Sequence, residues 1–221
     1  MHAIRACIFD LDGVIVDTAR YHFQAWRRMA NELGFDFSEV QNEKLKGVSR
    51  VESLKLILQW GGVEKTAEEQ AALAVQKNEW YQAFINEMTP DEILDGVLPF
   101  LAELEQKGIK IALGSASKNA PKILDQVGLT PRFEAIIDGN STTRSKPDPE
   151  VFQLGAQALG VQPKECIVFE DAAKGIEAAL NGGFYAVGIG APEVLGEAHM
   201  VMPSFVGKSF DQIKAALQTV A

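Results

Sequence analysis

The sequence predicts an α/β protein, a Rossmann-like doubly wound parallel sheet interrupted by a small inserted α-helical cap. Three observations predict it. Short runs that are apolar on both faces, such as Ala6-Cys7-Ile8-Phe9, recur along the chain as strands buried in a parallel sheet do. From residue 91 onward such runs alternate with segments of helical spacing, the order that gives parallel strands joined by right-handed crossovers. Between the first run and residue 90 the pattern is helical almost throughout. The Rossmann-like core is therefore expected over residues 1–16 and 91–221 and the cap over residues 17–90, with hinges near 14–18 and 89–94.

The first strand, Ala6 to Phe9, delivers Asp10 and Asp12 to its carboxyl end, where open α/β sheets bind ligands. Gly13 supplies the sharp exit. Asp-x-Asp-Gly is also ordinary turn composition, so the pair alone does not decide. An EF-hand loop fails, because no series of acidic ligands continues from Asp12 to a glutamate at the loop's last position.

Residues 18–34 place Ala25, Trp26, Met29, Ala30 and Leu33 at helical spacing before Gly34 closes the segment. A polar connector follows and ends in Lys46-Gly47-Val48-Ser49-Arg50. Ser49 with Glu52 reads as a capping box, so Arg50 opens a helix bearing Leu54, Ile57 and Leu58. Thr66 with Glu69 is a second box, opening a long helix that carries Tyr81, Phe84, Ile85 and Met88.

After Thr89-Pro90 the order is a helix near 96–107, strand Ile109 to Gly114, a helix near 118–127 and strand Ala135 to Ile137. Then come a helix near 149–160, strand Cys166 to Phe169, a helix near 172–181, strand Tyr185 to Ile189 and a helix near 209–219.

Composition bounds the possible partners. Hydrophobic residues at 47% and charged residues at 23% mark a globular chain. A formal net charge of −9 argues against nucleic acid, although a local basic cluster could still hold a small anion. The two cysteines, Cys7 and Cys166, fall in buried strands and read as inert thiols in a reducing compartment. The start of the sequence has no apolar leader, and no apolar run approaches the ~20 residues that span a bilayer, so a cytoplasmic protein without a membrane partner is expected. A cap that must open and close makes a monomer the default.

Other strand ends carry further chemistry. Ser115-Ala116-Ser117-Lys118-Asn119 offers hydroxyls, backbone N–H groups and a lysine at a helix start, which favours phosphate, although serine there is also a plain helix cap. In Lys146-Pro147-Asp148-Pro149, Asp148 can cap a helix whose first residue is Pro149. Lys146 is then free to reach acids or a phosphoryl oxygen, with a solvated lysine as the competing reading. The strand Cys166 to Phe169 ends in Glu170-Asp171, and four acids gathered at one place demand a cation. Hard oxygen donors beside a phosphate point to Mg²⁺. Val206-Gly207-Lys208-Ser209 is not a P-loop, because Met202 stands where its first glycine should.

Asp10-Leu11-Asp12-Gly13-Val14, Ser115, Lys146 and Glu170-Asp171, in this order and each at a strand end, resemble the motifs of the haloacid dehalogenase superfamily of phosphotransferases. The inserted helices resemble that superfamily's small cap. Thr18-x-x-x-His22-x-x-x-Trp26, Leu45-Lys46-Gly47-Val48-Ser49-Arg50 and the Ser115-Asn119 stretch are similar to its members that shift a phosphoryl group between two positions of glucose.

The resemblance implies that Asp10 is the nucleophile that carries an aspartyl phosphate and that Asp12 is the general acid and base. It implies that Ser115 and Lys146 hold the transferring group. Asp10, Glu170, Asp171 and the Asp12 backbone carbonyl would bind Mg²⁺. Thr18 and His22 would orient Asp12. Arg50, whose fork suits bidentate phosphate contacts, would grip the second phosphate from the cap, with Ser117, Lys118 and Asn119 opposite it. Lys46, Gly47, Val48, Ser49 and Ala116 complete the expected substrate contacts. Lys77 either faces the site or snorkels to solvent. The implied substrate is a phosphorylated hexose, and the implied reaction is an isomerisation of β-glucose 1-phosphate to glucose 6-phosphate through β-glucose 1,6-bisphosphate. A sugar-phosphate phosphatase is the alternative, and a catalytically silent phosphosugar-binding module a third reading.

Overall fold

The computed structural model describes residues 3–218. Six parallel strands form one sheet: β1 (Ala6–Phe9), β2 (Lys110–Gly114), β3 (Ala135–Ile137), β4 (Cys166–Glu170), β5 (Tyr185–Ile189) and β6 (Met200–Met202), in the order β3-β2-β1-β4-β5-β6. β1 lies at the centre, with Phe9 in register with Leu113 on one side and Phe169 on the other. Its residues alternate between two apolar layers. Cys7 and Phe9 enter one layer with Phe100, Phe169 and Phe205, while Ala6 and Ile8 enter the other with Phe152 and Val168. Phe9 stacks on Phe169 with ring centroids 4.9 Å apart. Both faces are covered, which is why the strand sequence is continuously apolar.

The helices are α1 (Ala19–Glu32), α2 (Glu39–Glu43), α3 (Arg50–Gly61), α4 (Ala67–Asn86), α5 (Val97–Gln106), α6 (Ala120–Gln126), α7 (Glu150–Leu159), α8 (Ala173–Asn181), α9 (Pro192–Leu195) and α10 (Phe210–Gln218). Residue 219 of the expected last helix lies outside the described residues. α1 to α4 gather around their own core of Trp26, Met29, Phe37, Leu54 and Ile57. Tyr81, Ile85 and Met88 instead join the layer beneath the sheet, so α4 is seated on the core. The two chain crossings lie side by side: Val16 bridges Ile93, and the Leu94 N–H donates to the Ile15 carbonyl at 3.0 Å. Arg20 pairs with Glu92 across them, and the Tyr21 hydroxyl donates to the same carboxylate at 2.8 Å.

Several local expectations are corrected. β6 and α9 were not read from the sequence. The polar connector contains α2, capped by Ser38 and Gln41 in a reciprocal box. The Thr66–Glu69 box is complete, but Ser49 has only half of one. Its side chain accepts the Glu52 N–H at 3.4 Å, while the Glu52 carboxylate takes Lys55 at 2.7 Å instead. α6 starts only at Ala120, so Ser115 to Asn119 form a loop and not a first helical turn. α7 begins at Glu150 with Pro149 as its cap, and Asp148 accepts the Glu150 N–H at 3.0 Å. Among the described residues no helix is long and apolar enough to cross a membrane.

Candidate active site

β1 runs directly into Asp10, whose N–H donates to the Phe169 carbonyl at 2.9 Å and so fixes the carboxylate at the sheet's carboxyl edge. The chain then turns through Gly13 at φ +79°, where a Cβ would lie 2.2 Å from Asp171 Oδ2. Only glycine both adopts that backbone and leaves Asp171 its place.

Lys146 is buried, not solvated. Its Nζ donates to Asp10 Oδ1 at 2.6 Å and to Glu170 Oε1 at 2.7 Å, and both carboxylates are nearly inaccessible. Burial alone would push the ammonium pKa down, but the two carboxylates outweigh it and hold the pKa above the ordinary lysine value. Glu170 is fixed from its other oxygen, which accepts the Ala172 N–H at 2.9 Å.

Asp10, Glu170 and Asp171 each offer one oxygen within 4.8 Å of the others. Three hard donors at that spacing fit a small divalent cation. Burial, with Glu170 close by, lifts the Asp10 carboxyl above the usual carboxylate range against the pull of Lys146. Burial also pushes Asp171 up to about 7, with Glu170 adding to it and Lys46 opposing. Lys46 lines the cavity and also reaches the acidic cluster. Its Nζ lies 3.2 Å from Asp171 Oδ2 and 3.0 Å from Glu43.

Asp12 contributes no carboxylate oxygen to this trio. Its Oδ1 accepts the Thr18 hydroxyl, and burial raises its pKa to about 6 against Lys146 and Lys77. Opposite it, the Ser115 N–H donates to the Ile137 carbonyl at 2.9 Å, tying the loop to β3. Ser115 Oγ accepts the Ser117 N–H at 3.1 Å, and Ser117 Oγ accepts the Asn119 N–H at 3.2 Å.

From the cap, Lys77 is buried and its Nζ lies 2.8 Å from His22 Nδ1, over the Trp26 and Tyr81 rings at 4.5 Å. The snorkelling reading of Lys77 is thereby overturned. His22 stacks on Tyr81 at 4.1 Å. Burial, followed by the neighbouring cations, holds Lys77 and His22 well below their ordinary pKa values. Arg50 is lowered by burial as well.

These groups surround one cavity of about 350 Å³ between cap and sheet, at the lower end of small-molecule sites. Of the residues singled out from sequence, all line it except Thr18 and Glu170, which are buried behind Asp12 and Asp10. Gly47, at φ +70°, brings the cap loop against the core, where a Cβ would stand 3.4 Å from that of Ala172. Sequence reading missed Asn42, Ser53 and the Thr142 to Ser145 segment, which line the same cavity. Ser53 stands one helical turn after Ser49, a spacing that could have found it. Asn42 gave no such signal.

A family model described as haloacid dehalogenase-like hydrolase matches residues 4–183. The chain is 43% identical over 201 residues to a β-phosphoglucomutase of Bacillus subtilis, covering 90% of this chain and 89% of that protein. It is 30% identical over 183 residues to a phosphorylated carbohydrates phosphatase of Thermotoga maritima, covering 81% and 82% of the two chains. The crystal structure of a β-phosphoglucomutase from Clostridium difficile superposes with a TM-score of 0.94 at 41% identity, covering 98% of each chain.

Proposed function

The chain belongs to the haloacid dehalogenase-like hydrolase family, and from that premise we propose that it catalyses the β-phosphoglucomutase reaction. β-Glucose 1-phosphate and glucose 6-phosphate are interconverted through an aspartyl phosphate and β-glucose 1,6-bisphosphate. The observation that carries this reading is that the cap's Arg50 and Lys77 and the core's Asp10 and Asp12 face one shared cavity. Such a site can hold a bisphosphate by both ends.

Asp10 is the nucleophile. One of its oxygens attacks phosphorus, the phosphoryl group moves from the sugar to the carboxylate, and a second sugar hydroxyl later takes it back. Lys146 serves both steps by offsetting the charge of Asp10 and Glu170 and by donating to the transferring oxygens. The Ser115 hydroxyl binds the same group. Asp12, with its pKa raised to about 6, gives a proton to the departing sugar oxygen and takes one from the attacking hydroxyl. The Thr18 hydroxyl holds it in place for both tasks. Asp10, Glu170 and Asp171 would hold the ion, read as Mg²⁺, which supplies charge neutralisation for the phosphoryl group.

Arg50 and the loop Ser117, Lys118 and Asn119 grip the phosphate that is not being transferred. Binding energy from that remote group then orients the sugar, which favours a hydroxyl over water as acceptor. The same reading takes the protein as a cytoplasmic monomer, in keeping with two buried free thiols. Labelling with radioactive β-glucose 1,6-bisphosphate tests the covalent step. The label should be recovered on the peptide containing Asp10 and be lost in Asp10→Asn; label on any other residue overturns the assignment.

A further inference from the structure

The Asn119 carboxamide is held by two side chains from the cap, and neither is among the groups placed in the site so far. Its Nδ2–H donates to Asn78 Oδ1 at 3.0 Å, and its Oδ1 accepts from Gln82 Nε2 at 3.2 Å. Asn78 and Gln82 are four residues apart on α4, so they share one helical face. Asn119 is only 7% exposed, and both ends of its amide are paired with side chains of α4. Reversing this amide alone would set N–H against N–H and oxygen against oxygen, so the three carboxamides are ordered together.

The position of this clasp gives it a consequence. Asn119 closes the Ser115 to Asn119 loop, where each serine hydroxyl already accepts a backbone N–H from two residues on. Asn78 follows Lys77, whose ammonium enters the cavity, so adjacent residues of α4 reach the cavity and the core loop. The seam continues at its far end, where Gln126 Nε2 of α6 donates to the Asn86 carbonyl at 3.0 Å. All of these contacts are between neutral groups, so salt does not screen the seam as it would an ion pair.

We propose that Asn78 and Gln82 are positioning residues: they orient the Asn119 carboxamide so that its remaining N–H is presented to the substrate's second phosphate. The seating of the cap and the grip on that phosphate are then one event. This rests on the proposed role of Asn119 as a phosphate contact.

The test is a double-mutant cycle on hexose-phosphate affinity. Binding of glucose 6-phosphate is measured by calorimetry for the unaltered protein, Gln82→Met, Asn119→Ala and the double variant, with turnover of β-glucose 1-phosphate followed in parallel. Asn78→Ala gives a second route to the same clasp, and a thermal melt of each variant verifies that it is folded. Gln82→Met and Asn78→Ala should each weaken binding about five- to tenfold and raise KM more than they lower kcat. In the Asn119→Ala background the Gln82→Met effect should vanish, which a general structural role would not produce. An unchanged affinity in both single variants, or an equal loss with and without Asn119, overturns the proposal. Tight binding without turnover would sink the mutase reading and leave the clasp to be decided by the cycle. A native protein that binds no glucose 6-phosphate overturns both.

Discussion

Lys146 Nζ sits 2.6 Å from Asp10 Oδ1, so the proposed nucleophile and the proposed phosphoryl clamp are directly paired. The pairing keeps Asp10 from being a lone buried charge. Replacing Lys146 by Met should therefore cost on the order of 3–5 kcal/mol of stability in chelator, because two buried carboxylates lose their partner. Activity should fall about 10²- to 10³-fold from the lost donor. Melting curves with and without a divalent cation, beside steady-state rates, would check both effects. A variant that melts like the native protein in chelator would contradict the account.

Lys77 shows the opposite balance. Its ammonium is buried against Trp26 and Tyr81, and burial disfavours its charged form. Lys77→Met should be stabilising by about 0.5–2 kcal/mol, worth about 2–4 °C per kcal/mol for a domain of this size, while kcat/KM drops. A variant that loses both stability and activity would show that the ammonium is held by favourable contacts and not retained at a cost.

Asp12 predicts a pH dependence. Below about pH 6 its carboxyl is protonated and cannot accept the proton of the attacking hydroxyl, so kcat/KM should decline on the acid side of that value. Stability follows with a defined sign. The native pKa is raised above the unfolded ~3.9, so this carboxyl's stabilising contribution is complete below that value and is lost as pH rises through about 6. Asp12→Asn should then gain on the native protein as pH rises between the two. Melting temperatures that differ by a constant amount across this range would show that the carboxyl is not raised.

Gly175 holds open the space that Glu170 occupies. A Cβ there would stand 1.7 Å from Glu170 Oε1 and 2.0 Å from its Cδ. Gly175→Ala, although favourable to a helix in itself, should displace Glu170 and weaken divalent-cation affinity about 10- to 100-fold. Calorimetric titration with Mg²⁺ checks it, and native affinity in this variant would mean that Glu170 is not a ligand.

Much of this architecture was legible because burial leaves a one-dimensional trace. β1, β2, β4 and β5 are apolar on both faces, and the acids following β1 and β4 stand out against that background. β6 is as short as β3 and, like it, lies at a sheet edge, but no clear helical segment separates it from β5, so the strand–helix alternation that located β3 did not mark it. The Ser49–Glu52 box misled because a competing partner, Lys55, lies within reach of the same carboxylate. For Lys77 the local pattern left facing the site and snorkelling equally open. Its burial arises from Trp26 and His22 on α1, more than fifty residues earlier, and a helix sequence carries no record of what packs against it.

The central claim is that a sugar hydroxyl, not water, takes the phosphoryl group from Asp10. The most direct measurement supplies the native protein with β-glucose 1-phosphate, Mg²⁺ and a trace of β-glucose 1,6-bisphosphate, and follows glucose 6-phosphate and free phosphate together. The account predicts glucose 6-phosphate in large excess over phosphate, with both absent in Asp10→Asn. Rapid release of free phosphate without glucose 6-phosphate would contradict it and identify a phosphatase.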